Sequence, residues 1–136
     1  MRRRYIDLIN QSFYFPQEGF EVKDGYLYFH DVPLHDIIQQ YGTPLRLTYL
    51  PKIGAQIRKA KRWFENAMDS INYQGDYIYC YCTKSSHFSF VLNEALDNDV
   101  HIETSSAADI DLAWRLYKNK KIDQQTYIIC NGFKTA

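Results

Sequence analysis

The chain has 136 residues, about one domain by length, and 46% of them are hydrophobic while 24% are charged. Sixteen basic side chains balance sixteen acidic ones, which argues against a dedicated nucleic-acid or membrane-surface binder, because such proteins usually carry a basic excess. The three cysteines are an odd number, so we expect reduced, buried thiols in a cytoplasmic protein and no disulfide framework. No run is apolar enough to predict a signal peptide or a membrane helix.

The N-terminal third predicts short elements. An Asp-Gly pair precedes an aromatic run at residues 26–29, which indicates a turn feeding a strand. Apolar spacing predicts a helix over residues 32–41, with Gly42 as its C-cap and a proline just beyond it. Alternation over residues 45–49 predicts a further strand.

A long amphipathic helix is predicted to begin at Pro51, because proline fits the first helical turn. Its basic face is expected to be solvated. After it the pattern alternates between strand and helix, with strands predicted at residues 77–82, 100–103 and 126–130. Alternation of this kind predicts βαβ units and a parallel sheet.

The helix predicted over residues 106–117 carries two further expectations. Ser106 and Asp109 have the spacing of a capping box, in which the hydroxyl and the carboxylate accept hydrogen bonds from exposed backbone N–H groups at the helix start. The helix is expected to turn four apolar side chains inward: Ile110, Ala113, Trp114 and Tyr117.

Lys84 is the residue most suited to chemistry, because it follows the first buried strand of the parallel sheet. Active sites of α/β proteins form at that end of the strands. Strand alternation is expected to put Cys80, Cys82 and Lys84 on one face. Inside a barrel the ammonium would be partly desolvated, and its lowered pKa would favour Schiff-base chemistry. The alternative is an ordinary lysine that extends from the sheet end into solvent.

Four segments in register resemble one enzyme family. The segment YCTKSS at residues 81–86 resembles the strand-plus-lysine signature of pyridoxal-phosphate (PLP) decarboxylases with the alanine-racemase-like barrel, known as fold type III. YGTPL at 41–45 resembles the corresponding entry of diaminopimelate decarboxylases. IETSSAAD at 102–109 resembles the family's second strand and helix start, and IICNGFK at 128–134 resembles the third strand of biosynthetic arginine decarboxylases.

The resemblance implies specific residue roles. Lys84 would hold pyridoxal 5'-phosphate as a Schiff base, and the cofactor would stabilise the carbanion left by loss of carbon dioxide. Glu103 matches an acidic position near the cofactor, where it would pair with Lys84 or contact the cofactor. Asp109 matches a second acidic position, although we favour its capping role. The family often has asparagine where this chain has Ser86, which weakens any prediction of cofactor contacts in this loop.

The resemblance also implies a fold. The chain would be the N-terminal portion of the enzyme: residues 1–50 contribute strands to a β-rich domain, and residues 51–136 form the first three strands of an eight-stranded (β/α) barrel. The ligands of the cofactor phosphate and pyridine nitrogen would lie beyond Ala136. We therefore expect this chain alone to be inactive and the full-length protein to form a homodimer.

Arginine is the preferred substrate, giving agmatine in polyamine synthesis, because the third of these strands resembles the arginine branch. Diaminopimelate or carboxynorspermidine decarboxylation remains open, and so does a non-catalytic PLP-binding regulator. A further alternative is an α/β domain whose resemblance to the decarboxylase family is accidental. No metal site, nucleic acid or membrane is predicted as a partner. The four histidines are scattered through the sequence, at His30, His35, His87 and His101.

Overall fold

The computed structural model describes residues 19–132. It is a mixed α/β protein with one antiparallel and one parallel sheet, each of three strands. The chain divides into two compact units between Leu47 and Thr48.

The first unit is an antiparallel meander followed by a helix. Strands β1 (Phe20–Lys23), β2 (Tyr26–Phe29) and β3 (Val32–Pro33) pair in sequence order, and helix α1 (Leu34–Tyr41) follows. Each hairpin loop has two residues: Asp24 and Gly25 in the first, His30 and Asp31 in the second. All four have positive φ, although only one of them is glycine. Positive φ at both loop positions is what a type I′ hairpin turn requires. The predicted strand over residues 26–29 is confirmed.

Two predictions for this unit need correction. The helix predicted from residue 32 begins at Leu34, because the two preceding residues pair with β2 as a strand. The strand predicted over residues 45–49 is wrong. Alternation alone does not make a strand, since its backbone groups need a neighbouring strand, and no strand among residues 19–132 pairs with this segment in a sheet. The C-cap at Gly42 is confirmed: its φ is 77° and its N–H donates to the carbonyl of Ile38 at 2.8 Å.

The second unit begins with helix α2 (Pro51–Ser70), as the proline predicts. Strands β4 (Cys80–Cys82), β5 (His101–Thr104) and β6 (Ile128–Cys130) form the parallel sheet in sequence order. Helix α3 (Ser89–Leu96) joins β4 to β5, and helix α4 (Ala107–Lys118) joins β5 to β6. The predicted parallel sheet with helical crossovers is confirmed. Strands β4 and β6 are shorter than predicted, because each pairs with β5 over only three residues, whereas β5 keeps the predicted length of four residues, shifted by one.

The two faces of the parallel sheet differ. Ile57 of α2, Ala95 of α3 and Val100 form the buried core, and Tyr79 and Tyr81 pack against them. Strand alternation therefore puts Tyr81 and its register partner Ile102 on the face that α2 and α3 cover. We call this the helix-covered face. The opposite face, here called the open face, carries the alternate residues: Cys80, Cys82, His101, Glu103 and Ile129.

The basic face of α2 is only partly solvated, so that prediction needs correction. Arg58 donates to the side chain of Asn98, and the Lys61 amine donates to the backbone carbonyls of Asn98 and Asp99. Gly54 permits this close approach, since a Cβ there would lie 2.6 Å from the Asn98 side chain. These contacts attach α2 to the loop between α3 and β5.

Helix α4 departs from the predicted orientation. Ala113 is buried, as expected, but Ile110, Trp114 and Tyr117 are exposed. The prediction is wrong for these three side chains, which are 45%, 54% and 37% exposed. The apolar spacing marks a face but does not say whether a neighbour covers it. No helix in the described part of the chain is both long and apolar enough to span a membrane.

Candidate functional site

Lys84 lies in a tight turn at the carboxyl end of β4. The strand ends at Cys82, and the Ser85 N–H donates to the Cys82 carbonyl at 3.1 Å, which closes the turn. Thr83 is only 1% exposed, and its N–H and hydroxyl both donate to the carbonyl of Glu103 at 3.1 Å. Because Lys84 lies in this turn, strand alternation does not determine which way its side chain points. Lys84 itself is exposed.

The Lys84 side chain borders a cleft of about 490 Å³. Its walls come from the turn after β4, the loop after β5 and one side of α4. The lining residues are Lys84, His87, Ser105, Ser106, Ala108, Asp109, Asp111, Leu112 and Arg115. No hydrogen bond or ion pair within residues 19–132 involves the Lys84 amine. Arg115, in contrast, is paired with Asp111 at 2.8 Å.

Asp109 orders the loop that forms the floor of this cleft. Its carboxylate accepts from the N–H groups of Ser105 and Ser106, both at 2.9 Å, and from their hydroxyls at 3.0 and 2.9 Å. The Ser106 hydroxyl accepts from the Asp109 N–H, so the predicted capping box is confirmed. The hydrogen bond from the Ser105 backbone, followed by that from the Ser106 side chain, lowers the pKa of Asp109 well below its usual value. These hydrogen bonds therefore favour the charged form of the carboxylate.

Glu103 lies apart from this cleft, on the open face of the sheet. Its carboxylate accepts from the side-chain amide of Asn131, which follows β6, at 2.7 Å. Cys82 is its register partner on β4. Burial, and then the charge of Glu103, raise the pKa of the nearby Cys80 thiol. A weakly acidic, half-buried thiol of this kind is a poor nucleophile.

The two predicted site residues are therefore not brought into contact. Lys84 shares its cleft with Ser105, Ser106 and Asp109, whereas Glu103 contacts Asn131. The link between them runs through the backbone, since Thr83 beside the lysine bonds the carbonyl of Glu103. The expected direct pair between the Glu103 carboxylate and the Lys84 amine is absent from the part of the chain that the structure describes.

Sequence reasoning missed several residues of the cleft. Ala108, Asp111, Leu112 and Arg115 have i, i+3, i+4 and i+7 spacing, which brings them to one side of α4. That spacing is visible in the sequence, but the predicted inward face was the more apolar side of the same helix. Asn131, which follows β6, entered the sequence analysis only within the segment at residues 128–134 and without a site role.

The three cysteines are free thiols, as predicted. Cys80 and Cys82 are half-buried on the open face, and Cys130 is exposed. The expectation that all three are buried is therefore wrong for Cys130, which ends β6, a strand whose three residues are all exposed. No group of three or more metal-ligating side chains is arranged to hold a metal among residues 19–132.

Comparison with known proteins adds no relative. No model of a known protein family matches the chain. A search of curated proteins also finds no significant match.

Proposed function

We propose that this chain forms the first βα units of a PLP-dependent amino-acid decarboxylase, with Lys84 as the cofactor lysine. The observation that carries the proposal is the position of Lys84 in a turn directly after a strand of a parallel sheet, with an exposed amine that forms no hydrogen bond or ion pair within residues 19–132. Cofactor sites of α/β proteins form at this end of the strands. The resemblance of residues 81–86 to the family's lysine segment supplies the chemistry.

The residues around Lys84 fit a PLP-sized group. The cleft volume of about 490 Å³ falls within the range of about 300–1,000 Å³ that is usual for small-molecule sites. Its lining includes the hydroxyls of Ser105 and Ser106 beside Lys84, while the Arg115 guanidinium is paired with Asp111. When bound, PLP supplies an electron sink for the carbanion left by decarboxylation.

The chain's own residues then have distinct tasks. Lys84 would hold the cofactor through its amine and move protons at Nζ. Asp109 would keep the serine loop ordered beneath the cleft through its four accepted hydrogen bonds. Glu103 lies apart from the cleft on the open face, which in this proposal becomes the barrel interior. Its bond from Asn131 holds the carboxylate in place.

In this proposal the three parallel strands begin an eight-stranded barrel, and residues 1–50 belong to a separate β-rich domain. The complete enzyme would be a cytoplasmic homodimer. Arginine is the proposed substrate and agmatine the product, on the resemblance of residues 128–134 to arginine decarboxylases. Diaminopimelate and carboxynorspermidine are the competing substrates.

The decisive test is covalent fixation of the cofactor. The full-length protein is incubated with PLP and reduced with borohydride, and the modified lysines are mapped by mass spectrometry. We expect modification at Lys84 in the wild type and none at that peptide in Lys84→Ala. Lys121→Ala is the matched control, because Lys121 is also exposed but lies in the loop after α4. Unselective modification of both lysines would reject the proposed site.

Turnover separates the remaining alternatives. We expect carbon dioxide release from arginine to exceed release from diaminopimelate or carboxynorspermidine, and to disappear in Lys84→Ala. Cofactor fixed at Lys84 without release from any of these amino acids would favour the non-catalytic regulator. If saturating PLP gave no fixation at Lys84 and no turnover, that result would contradict the decarboxylase proposal.

A further inference from the structure

The Tyr81 hydroxyl reaches from the core of the parallel-sheet unit to the turn that carries Lys84. The Tyr81 ring is half-buried on the helix-covered face and packs against Ile57, Ala95 and Val100. Its hydroxyl donates to the backbone carbonyl of Ser86 at 2.9 Å. A core side chain thus holds the backbone two residues after the lysine.

The turn is held on both sides of Lys84. Before the lysine, the N–H and hydroxyl of the buried Thr83 bond the Glu103 carbonyl on β5. After it, the Ser85 hydroxyl donates to the Cys82 carbonyl at 2.7 Å and lies 3.4 Å from the Tyr81 hydroxyl. Together with the Tyr81 bond to Ser86, these contacts fix the direction from which the exposed Lys84 side chain leaves the sheet.

Tyr79 provides an internal comparison. It lies two residues earlier in the chain, is also half-buried, and packs against the same core cluster. Its hydroxyl forms no hydrogen bond within residues 19–132. The two tyrosines therefore share the packing role of the ring, and the bond to the lysine turn distinguishes Tyr81.

We propose that Tyr81 is a positioning residue for Lys84, acting through the backbone of the turn at residues 83–86. The catalytic role of Tyr81 rests on the function proposed above. The anchoring of the turn rests on the contacts of Tyr81 itself. The ring supplies core packing, and the hydroxyl sets the geometry of the turn. Replacing tyrosine by phenylalanine separates the two roles, because it removes only the hydroxyl.

The test compares Tyr81→Phe with Tyr79→Phe in the full-length protein. Amide hydrogen exchange is followed in peptides that span residues 83–88. In Tyr81→Phe we expect exchange there to be about fivefold faster, the factor that loss of one ordinary hydrogen bond gives. Tyr79→Phe should exchange like the wild type, and the peptide of helix α3 should be unchanged in both variants.

Cofactor fixation supplies the second readout. The rate at which borohydride fixes PLP on Lys84 should fall about fivefold in Tyr81→Phe and stay at the wild-type value in Tyr79→Phe. Equal behaviour of the two variants in exchange and fixation would overturn the inference. Faster exchange spread over the whole parallel-sheet unit would also overturn it, because it would reveal a general loss of packing. Local exchange differences without any fixation in the wild type would uphold the anchor and reject the proposed function.

Discussion

The two faces of the parallel sheet are built from the same strands but have opposite environments. On the helix-covered face Ile102 and Thr104 are almost completely buried. On the open face Cys80, Cys82 and Glu103 are only half-buried, and Ile129 is 49% exposed. The same alternation therefore gives one face to the core and leaves the other to polar and ionisable groups. Alternate residues of the same strand thus serve different purposes. Those on the helix-covered face contribute to stability, and those on the open face carry the candidate chemistry.

The largest expected difference between the faces is in core packing. Ile102→Ala should lower the free energy of unfolding by about 2–5 kcal/mol, because it leaves a cavity in the covered face. Ile129→Ala, the matched change on the open face, should cost under about 1 kcal/mol in the 136-residue chain. Urea denaturation measures both values. A similar cost for the two would show that the open face is covered as well.

Next in size is the loop that forms the floor of the cleft. Asp109→Asn removes the charged N3 acceptor of the capping box and should cost about 1 kcal/mol, the usual net value of one hydrogen bond. Asp111→Asn is the control on the same helix, where an exposed ion pair with Arg115 contributes only about 0.3–0.5 kcal/mol. Thermal unfolding compares them. If the two losses were equal, the four bonds to Asp109 would contribute nothing beyond a surface charge.

The pH dependence of stability should follow the same carboxylate. The pKa of Asp109 is lower in the folded than in the unfolded protein, so the folded state binds its proton less readily. Its stabilising effect is therefore fully present above the unfolded pKa of about 3.9 and is lost as the pH falls below that value. Unfolding measured between about pH 6 and pH 3 should lose stability more steeply in the wild type than in Asp109→Asn. Parallel curves would contradict this assignment.

The smallest expected effect concerns the thiol on the open face. Cys80 should react with iodoacetamide more slowly than the exposed Cys130, because burial raises the pKa of Cys80 and also limits access to it. Glu103→Gln removes the second cause of the raised pKa, so it should speed alkylation of Cys80 but not of Cys130. Peptide mass spectrometry follows both sites in one sample. An unchanged Cys80 rate would show that burial alone controls this thiol.

Local signals in the sequence were reliable where one segment contains its own physical reason. Pro51 begins a helix, Gly42 ends one at positive φ, and Ser106 with Asp109 forms the capping box. Each depends on the covalent geometry of a residue or on bonds within a few positions of it. The alternation of apolar runs likewise predicted the parallel sheet and its helical crossovers.

What the sequence determined by itself was therefore the kind and order of most elements, together with the position of Lys84 just after a strand. Only the tertiary structure decided which backbone segments find a partner, and this removed the strand at residues 45–49 and shortened β4 to Cys80–Cys82. It also placed Ser105, Ser106 and Asp109 in one cleft with Lys84, while the Glu103 carboxylate accepts a hydrogen bond from Asn131. The physical reason is that hydrogen-bond pairing and side-chain direction depend on neighbours distant in the chain, which a local pattern does not specify.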